Sequence, residues 1–372
     1  MTTMARRLTV IPPLPLAVYL ASAGPLPFPL DGPDARTWQR GRHALWQGIR
    51  AIGLRAGDEV LLPAYHHGSE VETYLRAGLV PRFYDSGPLL VPDAPLLEAA
   101  MTPAVRVLHL VHHLGRPTRV GPLRAWCDAV GVRLVEDAAQ AWLATDDRGA
   151  PVGSAGDAAI FSLYKAVPVP DGGALALRTG GPASRPIEAS LGLRSVAGRH
   201  LAWAGATLPI VGAIAARRSP PPYDPAADFG VGDPWRAAST LTRRLLSRLD
   251  LSTVAQTRLA NYRRLAASLA RWMPEGFRDL PEGASPFALP VHVADKQRAR
   301  ARLLEGGIRA VDAWSAPHPS LEARRFPDAA AWRASTLLLP VHQYLAEADI
   351  ARISEVSADA LGPTLGSAPV AG

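Results

Sequence analysis

The sequence predicts an α/β protein, with a mainly parallel sheet in a large domain followed by a smaller α+β domain. Between residues 40 and 177, short apolar segments typical of strands alternate with amphipathic segments typical of helices. This alternation favours a parallel sheet covered by helices on both faces. Polar side chains with reactive groups directly follow three of the apolar segments. A chain of 372 residues also exceeds what one small core accommodates.

The expected elements of the large domain follow one another at regular spacing. A helix is expected over 40–54, ending near Gly53, where a glycine favours helix termination. The remaining elements are a set of short strands and the helices between them. We expect strands at 60–63, 79–84, 105–111, 132–136, 158–163 and 174–177, and helices at 94–100 and 121–130.

Composition divides the chain into an arm and two domains. Residues 1–36 are rich in proline and are expected to form an irregular arm on the surface, followed by a large domain at 37–235. The smaller domain, 236–372, is expected to hold one long helix, two short strands and two further helices. These are predicted at 241–272 with a potential break near Leu251, at 287–293 and 337–340, and at 295–305 and 347–357.

One apolar segment stands apart from this pattern. Residues 201–216 are apolar, contain Pro209 and are too short to span a bilayer comfortably. A buried helix or a subunit-interface helix is the favoured interpretation. A lipid-linked or membrane partner is the alternative.

The chain is predicted to be cytoplasmic. A single cysteine, Cys127, excludes an internal disulfide framework and fits a reducing compartment. The start of the chain imitates a secretory signal, with an apolar stretch before Ala21–Ala23, but prolines interrupt the helical core that such a signal needs.

The proportion of lysine to arginine among the basic residues is informative. The net charge is +7, yet the arginines are scattered and no nucleic-acid-binding motif is evident, so nucleic acid is not an expected partner. Of 40 basic residues, two are lysines, Lys165 and Lys296. A lysine retained among so many arginines is a candidate for chemistry that arginine cannot perform, such as losing its proton or forming an imine.

Three strand ends carry the candidate chemistry. The strand at 132–136 runs into Asp137, the strand at 158–163 is followed closely by Lys165, and the strand at 60–63 is followed by aromatic and imidazole rings that include His67. Because ligands of parallel sheets bind beyond the carboxyl ends of the strands, these side chains are expected to converge. An anion, a cation and flat rings together suit a flat, charged cofactor such as pyridoxal phosphate, which needs an amine, a carboxylate facing its pyridine nitrogen, a stacking ring and a phosphate cradle.

Several motifs make the chain resemble the DegT/DnrJ sugar aminotransferases, over residues 40–177. The most specific is Glu-Asp-Ala-Ala-Gln at 136–140 with its downstream serine and lysine, and a weaker similarity continues at 258–261 and 339–342. The resemblance implies fold type I of the pyridoxal-phosphate enzymes, with a seven-stranded type of sheet. The other matching motifs are Gly-Asp-Glu-Val at 57–60, Pro-Ala-Tyr at 63–65, Val-His-His-Leu-Gly at 111–115, Phe-Ser at 161–162 and Asp-Gly-Gly at 171–173.

The resemblance also implies roles for single residues. Lys165 would carry the cofactor as a Schiff base, Asp137 would face the pyridine nitrogen, and Gln140 would bind the phenolic oxygen. Ser162 would bind phosphate and His67 would stack on the ring. The family acts as homodimers with shared active sites, so a homodimer is implied here too, and no metal is expected.

The sequence departs from the family around the phosphate. Arg-Gly-Arg-His at 40–43 stands where the family usually has Ser-Gly-Thr, so Gly41 and Arg42 are predicted to rebuild that site, since arginine binds phosphate as a fork. The stretch from Ser162 to Lys165 is about two residues shorter than the family pattern.

The predicted function is transamination. Glutamate or another amino acid would donate the amine, and a keto-sugar, nucleotide-linked or not, would accept it in amino-sugar, polysaccharide or natural-product synthesis. Two alternatives stay open: another pyridoxal-phosphate reaction such as sugar dehydration, and a non-catalytic homologue with a regulatory or binding role. His112 and His113 are interpreted as structural, while Trp314 and His318 are assigned to a loop that is expected to face substrate.

Overall fold

The structure, a computed structural model, describes residues 7–14, 24–32, 35–178 and 224–362. The predictions for the apolar segment 201–216 and for Ala21–Ala23 lie outside the described residues. None of the helices within these ranges combines the length and the apolar character that crossing a bilayer requires.

Twelve strands are present in the described ranges. Their bounds are β1 Leu8–Thr9, β2 Thr37–Trp38, β3 Glu59–Pro63, β4 Val80–Tyr84, β5 Val105–Val111, β6 Arg133–Asp137, β7 Ala158–Ser162, β8 Gly173–Leu177, β9 Leu289–His292, β10 Ile308–Arg309, β11 Val311–Asp312 and β12 Thr336–Leu339. The α-helices are α1 Gly41–Ala51, α2 Ser69–Arg76, α3 Ala94–Glu98, α4 Val120–Val130, α5 Leu163–Ala166, α6 Pro225–Phe229, α7 Thr240–Leu246, α8 Val254–Leu269, α9 Lys296–Glu305, α10 Pro327–Ser335 and α11 Glu347–Ala360.

Seven strands form the large sheet, in the order β2-β8-β7-β6-β5-β3-β4. The five strands from β7 to β4 pair in parallel, and β8 and β2 add antiparallel edges. The expected α/β class and mainly parallel seven-stranded sheet are therefore confirmed. The carboxyl ends of the parallel strands share one edge, which is where a ligand of such a sheet binds.

The large sheet is covered on both faces because successive strand residues point in opposite directions. Leu62 packs in the core beneath α1 and α2, together with Val107. Its neighbour Leu61 packs in a second core on the other face, together with Leu108 and α4 residues. Strands buried on both faces appear in the sequence as continuous apolar runs, which is the pattern that predicted them.

The carboxy-terminal part is built around a small antiparallel sheet in the order β11-β12-β9. Its core also contains Tyr65 and Leu114 from the region of the large sheet. The predicted long helix is two helices, α7 and α8, and the potential break near Leu251 is confirmed. The proposed domain boundary between 235 and 236 stays a prediction.

The amino-terminal arm differs from its prediction. Leu8 and Thr9 pair in parallel with Ile308 and Arg309, and Leu8 is buried in the carboxy-terminal core. Farther along, Trp142 donates a hydrogen bond from Nε1 to the carbonyl oxygen of Phe28 at 2.9 Å. Apolar side chains of the arm thus pack into two cores, and the expected extent of the arm, residues 1–36, stays a prediction.

Gly173 lies where the backbone of β8 meets the start of α1. A Cβ at this position would fall 2.2 Å from the carbonyl oxygen of Arg40, and backbone cannot yield as a flexible side chain does. We expect Gly173→Ala to lower the free energy of unfolding by about 3 kcal/mol or more, because the overlap must displace a strand or the helix start. Chemical denaturation measures the change. Gly121→Ala is the matched control: it lies in α4 with nothing within 4 Å of the added Cβ and should change stability by less than about 1 kcal/mol.

Candidate active site

A cleft opens beyond the carboxyl ends of the parallel strands. Residues from the large sheet, from the start of α1 and from a carboxy-terminal loop line it. All seven residues predicted for the site line this one cleft: Gly41, Arg42, His67, Asp137, Gln140, Ser162 and Lys165.

The strands explain this convergence. Asp137 is the last residue of β6, and Ser162 is the last residue of β7. A single helical turn, α5, follows β7 immediately and contains Lys165. His67 lies in the turn after β3, and Gly41 begins α1. Because β3, β6 and β7 belong to the parallel part of the sheet, these positions meet at the same edge.

The carboxylate of Asp137 is held in its charged form. Burial would raise its pKa, but the contact with His109, the positive charge of Lys165 and the backbone N–H of Ala139 outweigh burial and lower it. The Nε2 atom of His109 lies 3.4 Å from Oδ2, and the N–H of Ala139 donates to Oδ1 at 2.8 Å. The site therefore presents a fixed negative charge to whatever occupies the cleft.

His109 is a residue that sequence analysis missed. It is fully buried in β5, and its Nδ1 lies 3.1 Å from the hydroxyl oxygen of Tyr74. The chain Tyr74–His109–Asp137 fixes the orientation of the imidazole behind the carboxylate. A polar residue within the apolar run of β5 was the signal that could have identified it.

The two lysines have contrasting surroundings. Lys296 forms an ion pair with Asp312 and donates to the carbonyl oxygen of Arg333. Lys165 is half-buried in the cleft, and among the described residues no hydrogen bond or ion pair reaches its Nζ. Its Nζ lies 6.0 Å from the ring centroid of Phe287. Lys165 is thus the lysine whose amine is available for chemistry.

Gln140 has a defined amide orientation. Its Oε1 accepts a hydrogen bond from the backbone N–H of Leu114 at 2.8 Å, and Leu114 holds a left-handed backbone with φ 57°. With the oxygen engaged, the NH₂ group is the part of the amide that can donate to a ligand. A donor at this position suits an anionic oxygen.

The start of α1 forms one end of the cleft. Gly41 packs against the end of β7, where an added Cβ would lie 3.3 Å from the carbonyl oxygen of Phe161, so the helix start approaches Ser162 closely. The first N–H groups of a helix lack partners within the helix and favour anions. The guanidinium of Arg42 is bound to Asp228, at 2.9 Å, whereas that of Arg40 lies 5.3 Å over the ring of Tyr164 in the cleft.

Glu70 also lines the cleft and was not predicted. Its carboxylate accepts hydrogen bonds from the backbone N–H groups of His67 and Gly68, both at 3.1 Å, which fixes the turn that presents His67. Burial, together with the negative charge of Asp137, raises the pKa of Glu70. Glu70 is therefore the more readily protonated of the two carboxylates in the cleft.

His67 is a neutral ring. Burial, followed by the positive charges of Lys165 and Arg42, lowers its pKa to about 3. We expect His67→Phe to keep the affinity of the cleft for an aromatic ligand within about threefold and His67→Ala to weaken it by about tenfold, since a ring stacked on a ring contributes about 1 kcal/mol or more. Equilibrium titration followed by fluorescence compares the two variants. Equal loss in both would show that the imidazole nitrogens, and not the ring face, matter.

Other candidate residues fall outside the cleft or have structural partners. Glu136 and His112 form a buried pair at 3.0 Å, as expected of structural residues. Trp314 does line the cleft, and its backbone is left-handed at φ 49°. His318 is buried away from it, where its N–H donates to His66 at 3.3 Å.

Part of the chain is similar in sequence to known proteins. Residues 34–185 match the DegT/DnrJ/EryC1/StrS aminotransferase family. An L-glutamine:2-deoxy-scyllo-inosose aminotransferase of Streptoalloteichus tenebrarius is 36% identical over 124 residues, which is 33% of this chain and 29% of that protein. A dTDP-3-amino-3,4,6-trideoxy-alpha-D-glucose transaminase of Streptomyces venezuelae is 35% identical over 127 residues, 33% of each chain. The match thus spans about a third of the length of these curated relatives.

The fold extends over much more of the chain than the sequence match. A putative sugar aminotransferase of Streptococcus pneumoniae, Spr1654, superposes in its PLP form with a TM-score of 0.68 at 19% identity, covering 95% of this chain and all of the other. DesV of S. venezuelae superposes with a TM-score of 0.64 at 21% identity, covering 92% of this chain and 86% of the other. The sequence similarity to the DegT/DnrJ/EryC1/StrS aminotransferase family thus lies in residues 34–185, and the chain shares its fold with these solved aminotransferases.

Proposed function

We propose that this protein is a pyridoxal-phosphate-dependent aminotransferase that moves an amino group from glutamate, or another amino acid, to a keto-sugar. The observation that carries the proposal is the convergence of Lys165, Asp137, Gln140, Ser162 and His67 on one cleft. In this set the lysine amine has no partner among the described residues, and the carboxylate is held charged.

The functional groups of these residues suit pyridoxal phosphate. When bound, pyridoxal phosphate supplies an aldehyde that an amine attacks and a pyridine ring that withdraws electrons from the substrate α-carbon. The cleft offers an amine in Lys165, an anion in Asp137, an amide donor in Gln140 and a neutral ring in His67. Each group matches a different part of a flat molecule with an acidic and a basic end.

Lys165 would act first as nucleophile and then as proton carrier. An ordinary lysine has a pKa of about 10.4, so its amine must be shielded from water to act as a base near neutral pH. Lys165 is half-buried and shares the cleft with Arg40 and Arg42. Lys165 lies on a short turn directly after β7.

Asp137 would keep the pyridine nitrogen protonated. Its own charge is secured by His109, which Tyr74 orients from behind. A neutral partner at this position would not hold a proton on the ring nitrogen, so the negative charge is the essential property.

The phosphate would lie at the start of α1. Gly41 brings the start of the helix close to Ser162, which lines the cleft, and the start of a helix favours an anion. Arg40 offers a guanidinium on the same side. Arg42 contributes less than its sequence position indicated, because Asp228 binds its guanidinium.

The acceptor is proposed from the relatives. The names of two of them specify cyclic polyhydroxylated compounds, 2-deoxy-scyllo-inosose and a dTDP-linked amino-sugar. Trp314 forms part of the wall of the cleft, and an indole face suits the C–H face of such a ring. A homodimer with shared active sites and a role in amino-sugar or natural-product synthesis belong to the same proposal.

The absorption spectrum of the purified protein with added pyridoxal phosphate tests the proposal. We expect a visible band that requires Lys165 and decreases when glutamate is added, with release of 2-oxoglutarate. A panel of amino acids would identify the donor if glutamate is inactive. Absence of a Lys165-dependent band would reject the proposal and favour a non-catalytic role for the fold.

A further inference from the structure

Arg258 is a buried cation beneath the turn that carries Lys165. It lies in α8 and is 1% exposed. Its Nη2 donates to the carbonyl oxygens of Lys165 and Ala166, at 3.2 and 2.7 Å. Nη1 donates to the carbonyl of Pro286 at 3.0 Å and Nε to Oε1 of Gln343 at 2.9 Å.

These partners are unusual for a buried arginine. All four are neutral oxygens, and among the described residues no carboxylate pairs with Arg258. Burying a charge without an opposite charge costs several kcal/mol, and burial lowers the pKa of Arg258 to about 9. An apolar side chain would fill the same space at lower cost, so packing alone does not explain arginine here.

The carbonyls that Arg258 contacts belong to the end of α5. A helix of four residues leaves its last carbonyl oxygens without partners within the helix. A cation at that end satisfies them and is favoured by the helix dipole. Gln343 reinforces the arrangement, because its Nε2 also donates to the carbonyl of Ala166, at 3.1 Å.

Backbone hydrogen bonds also fix the two ends of this turn. The backbone N–H of Leu163 donates to Gly172, and that of Val167 donates to Leu163, both at 3.0 Å. These bonds hold the ends of the turn but leave the Lys165–Ala166 peptide to Arg258 and Gln343. The position of the Lys165 amine therefore depends on a residue about ninety positions later in the chain.

We propose that Arg258 is a positioning residue that sets the place of the Lys165 amine, and with it the reactivity of that amine, from the carboxy-terminal part of the chain. A role of Arg258 in catalysis rests on the proposed function. The effect of Arg258 on Lys165 can be measured without the cofactor.

The test uses the small number of lysines in the chain. Competitive acetylation of the cofactor-free protein across pH, read by peptide mass spectrometry, reports the reactivity of Lys165 with Lys296 as internal reference. The variants are Arg258→Met, Arg258→Lys and Gln343→Ala. Arg264→Met is the matched control, because Arg264 lies on the same helix, is exposed and pairs with the exposed Glu347.

We expect Arg258→Met to raise the pH midpoint of Lys165 labelling by about half a unit or more, since loss of a nearby positive charge favours the protonated amine. Labelling at pH 7 then slows by about threefold. Arg258→Lys keeps the charge but reaches fewer acceptors and should lie between, while Arg264→Met matches the unmodified protein. The groups that share the cleft with Lys165, namely Arg40, Arg42, His67, Glu70, Asp137 and Tyr164, are unchanged in every variant.

A purely structural role would lower the melting temperature of Arg258→Met and leave the midpoint of Lys165 unchanged, and that result would overturn the inference. If Arg258→Met does not fold, Arg258→Lys and Gln343→Ala decide the question by the same readout. The visible band with pyridoxal phosphate is recorded in parallel. Its absence from the unmodified protein rejects the proposed function, while the labelling midpoints still judge Arg258.

Discussion

Lys165→Arg is expected to lower amino transfer by about a thousandfold or more, and to abolish the visible band with pyridoxal phosphate. Arginine keeps the positive charge and much of the length of the side chain, but it cannot attack an aldehyde or give up its proton near neutral pH. Loss of proton transfer at the substrate carbon alone accounts for about a hundredfold to ten-thousandfold. Steady-state kinetics with glutamate and an absorption spectrum measure both effects.

Lys296→Arg is the matched control, because it makes the same chemical change at the second lysine. Lys296 pairs with Asp312 on the side of the small sheet, and arginine preserves that charge. We expect turnover and the visible band to stay within about twofold of the unmodified protein, because Lys296 does not line the cleft and arginine can keep the ion pair. Comparable activity loss in both variants would contradict the assignment of Lys165.

Much of the large sheet could be predicted from the sequence. Its strands are buried on both faces, so β7 and the part of β3 after Glu59 appear as apolar runs, and β5 does so apart from Arg106 and His109. Turn residues separate them from helices with a clear period. The helix α2 was missed because Ser69–Arg76 begins directly after the histidine turn and carries few apolar residues.

The arm was harder to predict for a different reason. Leu8 pairs with Ile308, 300 residues away, and two paired residues give no periodicity to detect. The break between α7 and α8 was predictable because Leu251 follows a polar stretch that interrupts the helical pattern.

Some residues of the candidate site could be predicted from the sequence and others could not. Residues at strand ends, such as Asp137 and Lys165, could be identified because the parallel sheet fixes where they meet. Residues that contact the site residues from outside the cleft could not be identified from the sequence. His109 lies within a strand and Arg258 within a helix, and the role of each depends on partners that are distant in the chain. The engagement of Arg42 by Asp228 depends likewise on a contact 186 positions apart.

Asp137→Asn is expected to lower kcat by about a hundredfold to a thousandfold while cofactor still binds, because the amide is close in shape but carries no charge to hold a proton on the ring nitrogen. Stability should change by about 1 kcal/mol or less, since losing the contact with His109 is offset by relief from burying a charge. Kinetics and chemical denaturation of the same preparation separate the two effects.

Glu136→Gln makes the same chemical change at the adjacent residue, with the opposite expected result. The carboxylate of Glu136 accepts hydrogen bonds from the backbone N–H groups of Gly153 and Ala155, at 3.2 and 3.0 Å, and pairs with His112 at 3.0 Å. A glutamine would turn an NH₂ group towards some of these donors, so the free energy of unfolding should fall by about 2–4 kcal/mol. The fraction that folds should keep kcat within a few fold, because Glu136 does not line the cleft. If Asp137→Asn instead destabilised the protein and kept kcat, the carboxylate at the end of β6 would be a structural residue like its neighbour, and the negative charge in the cleft would have no part in catalysis.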